Sequence, residues 1–122
     1  MSQDAFRETN RVFEEVFVTG DFGALAQVYT EGARLLSPGV PMITGLPGII
    51  EYWKGAAAAL GVTGVRLHTL DLAATGDRAA ELGRAEIHTG SGAAPVRVKY
   101  VVLWTRAGGA WKWDVDCWNM DA

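Results

Sequence analysis

A chain of 122 residues, 49% hydrophobic and 20% charged, is long enough for one domain with a single core, so residues 1–122 read as one unit. A net charge of −3 with no run of basic residues argues against a nucleic-acid partner. No apolar stretch approaches the roughly 20 residues that span a bilayer.

The opening residues lack the basic and apolar regions of a signal peptide, and Cys117, the one cysteine, has no partner for an internal disulfide. Both features point to the cytoplasm. Ser2 or Asp4 is placed to cap a first helix with Phe6, Phe13, Val16 and Phe17 on one stripe, and Gly20 ends it. Asp21 then caps a second helix, in which Phe22, Leu25, Ala26 and Tyr29 recur at helical spacing. The apolar run from Ala33 to Ser37, stopped by Pro38-Gly39, reads as a brief edge strand. Thr44 caps a third helix with Pro47 in its first turn; Leu46, Ile49, Ile50, Trp53, Ala57 and Leu60 share a face, and Gly61 closes it.

The remainder reads as β. Residues 65–75 and 79–88 flank Gly76-Asp77, a two-residue hairpin turn that pairs Leu72 with Glu81, Leu70 with Gly83 and His68 with Ala85. After a looser stretch at 89–95, a second hairpin turns at Gly108-Gly109 and holds four of the five tryptophans. Symmetric closure pairs Trp104 with Trp113, Val102 with Val115 and Tyr100 with Cys117. Helices followed by a meander of antiparallel strands make an α+β fold, and helices laid in the hollow of a twisted sheet leave a pocket.

Several segments together resemble one known group of proteins. Gly20-Asp21-Phe22, followed by a segment ending Tyr29-Thr30-Glu31-Gly32-Ala33, is similar to the nuclear transport factor 2-like superfamily. The segments 36–42, 99–104 and 116–119, with Gly45, Trp53 and Gly76-Asp77, look closer to its SnoaL-like and ketosteroid-isomerase-like branch. The resemblance covers nearly the whole chain. It implies a cone-shaped α+β barrel, a homodimer, and a ligand cavity between sheet and helices. It does not imply one activity, because this scaffold hosts isomerases, cyclases, hydrolases, dehydratases and adaptors. Steroid isomerisation is not expected: Phe13 stands where those isomerases carry a donor tyrosine, and Ser37 where they carry the basic aspartate. An acid usual in the family before Ala33 is Gly32 here.

Glu81 is the candidate acid or base, because the hairpin register puts it on an otherwise apolar face beside Gly83 and Ala85, where a carboxyl would be desolvated. The alternatives are an ion pair with an arginine such as Arg34 or Arg66, or a place at the wet mouth of the barrel. His68 falls on the same face in that register and is the second candidate for proton transfer; without a ligand-like spacing it makes no metal site. Tyr29, Trp53, Tyr100, Trp104 and Trp113 are expected to line the pocket, each having an apolar body and a polar handle. Gly83 leaves space beside Tyr100, Val102 belongs to the same wall, and Asn119 continues the inward face at its end.

Lys99, Leu103, Asp116 and Trp118 fall on the opposite face and are expected to form a homodimer interface. A bulge near Asp114 would instead turn Asp116 and Trp118 inward. No phosphate loop, Ser-His-Asp set or metal-ligand spacing calls for a cofactor. Two functions stay open. One is a binding protein for a small hydrophobic molecule. The other is an isomerase, cyclase or dehydratase that uses Glu81 or His68.

Overall fold

The structure, a computed structural model, describes residues 3–121. Helix α1 spans Asp4–Thr19 and α2 spans Leu46–Leu60; a 3-10 helix, Phe22–Gln27, lies between them. Six strands follow the order β1 (Tyr29–Leu36), β2 (Ile43–Thr44), β3 (Val62–Thr75), β4 (Arg78–Thr89), β5 (Val96–Ala107) and β6 (Ala110–Met120). They form one curved, unclosed sheet in the order β2-β1-β6-β5-β4-β3. The meander β3–β6 is antiparallel, and β1 returns to pair in parallel with β6.

The local signals explain most boundaries. Phe6, Asn10, Phe13 and Phe17 are buried along one side of α1, and Gly20 ends the helix at φ 79, a left-handed conformation that glycine adopts freely. Asp4 opens the helix with Gln3 at its cap position and no side-chain cap, whereas Ser2 lies outside the described residues. The expected second helix is only a 3-10 turn, because Tyr29 leaves it to begin β1. That strand is also longer than expected and not an edge: β2 and β6 flank it. Gly45, not Thr44, caps α2, and Thr44 belongs to β2. Both hairpin turns form where expected, and Trp104 pairs with Trp113.

Two bulges then change the faces. In β6, Leu103 pairs with Val115 but Trp104 pairs with Trp113, so Asp114 is the extra residue. Its carboxyl accepts a hydrogen bond from Thr30 Oγ1 at 3.0 Å and lies 3.8 Å from Arg34, both on β1. Beyond it the register moves by one: Tyr100 pairs with Trp118 and Val102 with Asp116, instead of Cys117 and Val115. In β3 the extra residue is Leu70, between the pairs Thr69–Gly83 and Asp71–Leu82. Leu72 opposes Glu81 as expected, but past the bulge it is Leu67 that faces Ala85, and His68 pairs with Arg84. A one-residue slip exchanges the two faces of a strand, so each bulge inverts everything beyond it.

The inner face of the sheet and the helices close over an aromatic core that includes Phe6, Phe13, Tyr29, Trp53, Trp104 and Trp113. Helix α1 also guards the free edge of β3, where Glu14 accepts the Leu67 backbone N–H at 2.7 Å. Among the described residues no helix is long and apolar enough to cross a membrane.

Candidate functional site

Two buried carboxyl groups share one row of the sheet. Glu81 on β4 pairs with Val102 on β5, which pairs with Asp116 on β6, so one valine separates them. Glu81 is 1% exposed and Asp116 is 4% exposed, and burial at that level demands polar partners. The two acids meet that demand differently.

Glu81 receives donors from three directions. Tyr100 donates its hydroxyl at 2.6 Å, Thr69 at 2.8 Å, Trp104 its indole N–H at 3.1 Å and Asn10 its amide at 3.3 Å. Asn10 in turn accepts from Trp113 Nε1 at 3.1 Å, which ties α1 to β6 through the same network. Gly83 makes this possible. A Cβ there would overlap the Tyr100 ring, so the space expected to be pocket is filled by the tyrosine crossing to Glu81. Burial, then the neighbouring Glu81 charge, pushes the Tyr100 hydroxyl well above its ordinary range, so it stays a donor.

Asp116 has one close hydrogen-bond partner among the described residues. Tyr29 donates its hydroxyl to Oδ2 at 2.6 Å, and that hydroxyl accepts from Trp53 Nε1 at 3.0 Å. Burial pushes the Asp116 carboxyl up to about 7; the Tyr29 hydrogen bond offsets part of this, and the charge of Glu81 adds to it. Burial, followed by Asp116, likewise holds the Tyr29 hydroxyl far above its ordinary range.

Asp116 lines a cavity of about 40 Å³ whose other walls are largely apolar, among them Phe13, Leu67, Val98, Tyr100 and Trp118. That volume suits about three or four water-sized molecules at the roughly 10–15 Å³ each needs. Trp118 stacks on Trp53 with centroids 6.0 Å apart, and its indole N–H is buried with no hydrogen-bond partner among the described residues.

Of the expected pocket residues, Trp53, Tyr100 and Trp113 do line this cavity, and Tyr29 stands directly behind its acid. Gly83, Val102 and Trp104 belong to the Glu81 network side and do not line it. His68 is on the outer face, exposed and 3.6 Å from Glu86, because the Leu70 bulge turns it outward. Asn119 is exposed beside Lys99 on that same outer face, because the Asp114 bulge reverses the end of β6. The same bulge removes Asp116 and Trp118 from the expected dimer face and leaves Cys117 exposed there. The two residues at the steroid-isomerase positions are also engaged: Phe13 packs on Trp113 at 4.7 Å, and the Ser37 hydroxyl bonds that of Tyr52.

Asn10, in the Glu81 network, was not singled out in the sequence, and Asp116 reached the cavity side only as the alternative of a bulge near Asp114. For Asn10 a signal existed: a lone amide on the Phe6, Phe13, Phe17 stripe. For Asp116 the signal was Trp118, an indole out of phase with Trp111 and Trp113, as a bulge between them requires.

The pattern of the SnoaL-like domain matches residues 10–113. No curated protein matches the sequence. Among solved structures, a nuclear transport factor 2-like protein of unknown function from Shewanella oneidensis superposes with a TM-score of 0.81 at 16% identity, over 97% of this chain and 98% of that one. A ketosteroid isomerase-like protein from Erwinia carotovora atroseptica gives 0.77 at 17% identity, over 95% and 93%. A nuclear transport factor 2-like protein of unknown function from Pseudomonas putida gives 0.77 at 16%, over 98% and 88%. At such identities the likeness is one of fold. With the domain pattern spanning most of the sequence and this fold around a carboxyl-bearing cavity, the chain belongs to the SnoaL-like domain family.

Proposed function

We propose that the chain binds a small apolar molecule in the cavity beside Asp116 and exchanges a proton with it through that carboxyl. One observation carries the reading: a buried acid, held by a single hydroxyl, faces an otherwise apolar cavity. A group whose pKa lies near 7 can give or take a proton at neutral pH, and proton transfer by a positioned side chain contributes typically 10²–10⁴-fold to a rate. Tyr29, itself fixed by Trp53, sets the direction of the carboxyl and remains protonated while Asp116 titrates. This is the chemistry an isomerase, cyclase or dehydratase needs, with Asp116 in the part expected of Glu81 or His68. Glu81 instead spends its oxygens holding α1, β3 and β5 together. Titration with 2-propanol, whose four heavy atoms match the cavity, followed by NMR, tests the binding step. The indole N–H of Trp118 should shift saturably, and Asp116→Ala should weaken the effect. No saturable shift at up to molar 2-propanol would overturn the reading.

We also propose a homodimer through the outer sheet face, now without Asp116 and Trp118. Leu82, Val101 and Leu103 are 47%, 42% and 45% exposed on adjacent strands, Lys99 flanks them, and burial of each would contribute roughly 1.5–3 kcal/mol.

A further inference from the structure

The inner cavity has a neighbour. A second cavity of about 50 Å³ lies against the later turns of α2 and the start of β3, between Ala57, Leu60 and Val62. Phe17, Trp53, Val65, Ile87 and Trp118 line both cavities, so they stand at the boundary between the two. Leu60, at the far side, is 61% exposed, which makes that side the way out to solvent.

The indoles lining these cavities are not held alike. Trp53 is pinned through its N–H to Tyr29 and Trp113 to Asn10. Trp118 is half-buried, and its buried N–H has no partner among the described residues. Moving it breaks no side-chain hydrogen bond among the described residues, but gives up its stacking on Trp53 and part of its packing on the core. A buried donor without an acceptor is also a free-energy deficit that an incoming oxygen atom would relieve.

The geometry points to one elongated site, made by joining the two cavities when the Trp118 indole swings, that takes a chain-like apolar molecule bearing a terminal hydroxyl or carbonyl oxygen. The oxygen lies inward, between the Trp118 N–H and the Asp116 carboxyl. The apolar chain runs outward past Ala57 toward Leu60. This rests on the proposal that the inner cavity binds ligand, and adds to it the length, polarity and direction of that ligand. Neither cavity alone has room for such a chain.

The test is a homologous series, 1-hexanol, 1-octanol and 1-decanol, titrated against the whole chain by calorimetry. Affinity should rise about four-fold for each added methylene, the increment of an alkyl chain that keeps gaining apolar burial. Ala57→Phe, which fills the outer cavity, should weaken decanol far more than hexanol and bring the two to within a few-fold of each other. Should that variant not fold, Leu60→Trp at the exposed mouth serves the same purpose, and the wild-type series stands by itself. Affinity that levels off at hexanol overturns the elongated site, as does a variant that weakens hexanol and decanol equally. Either result together with 2-propanol binding leaves the inner cavity standing. Failure of 2-propanol and of every longer alkanol overturns both.

Discussion

Glu81 and Asp116 are two buried acids in one row of one sheet, and they do opposite things. Glu81 collects donors from α1, β3 and β5, and the Tyr100 ring occupies the space over Gly83 beside it. Asp116 has one close donor and an open cavity before it. Burial by itself therefore does not mark a working group. A carboxyl with its oxygens filled is part of the scaffold, and one left with spare capacity beside empty space can act on a ligand.

The sharpest way to break this contrast is to remove the saturated acid. Glu81→Leu orphans the donors of Asn10, Tyr100 and Trp104, each at roughly 1–3 kcal/mol, so urea unfolding should show a loss above about 4 kcal/mol or no folded protein. A loss under about 1 kcal/mol would show that the network does not hold the fold. Gly83→Ala should follow, costing about 2–4 kcal/mol, because the new Cβ expels the Tyr100 ring and with it the bond to Glu81. The same substitution made in Tyr100→Phe should cost less, since the hydroxyl bond is already gone. Equal costs in both backgrounds would separate Gly83 from Glu81.

Asp116 should respond to pH instead. Its folded pKa, about 7, lies above the ordinary 3.8 of the unfolded chain, so the native state binds the proton more tightly. Stability is then highest in acid, falls by up to about 1.4 kcal/mol per pH unit between those values, and is level above them. Asp116→Asn keeps an acceptor for Tyr29 but cannot ionise, so it should match wild type at pH 4 and exceed it at pH 8. Parallel curves across that range would mean that Asp116 does not titrate as its setting requires. The smallest effect on the fold is expected from Leu103→Glu on the exposed outer face, within about 0.5 kcal/mol of wild type. Light scattering should nonetheless show it shifting a dimer toward monomer. A wild-type monomer at high micromolar concentration would remove the outer-face interface.

Much of this molecule was legible without its structure. The stripe Phe6, Phe13, Val16 and Phe17 is α1, Gly20 and Gly61 end their helices, and Gly76-Asp77 and Gly108-Gly109 turn their hairpins. These features are local: helical periodicity, positive φ and turn chemistry are set by residues a few positions apart. Glu81 read correctly as an inward acid because its pairing with Leu72 lies between the turn and the Leu70 bulge. Beyond each bulge the local pattern no longer decides which way a side chain points. Asp114 leaves the ladder because Thr30 and Arg34, some eighty residues away in sequence, supply its partners, and that one step carries Asp116 and Trp118 into the cavity. Leu70 does the same to His68 in the other direction. Sequence by itself determined the two long helices, the two hairpins, their order and the aromatic core. Only the tertiary structure decided which acid meets the cavity, because a strand has two faces and a single residue inserted by long-range contacts exchanges them.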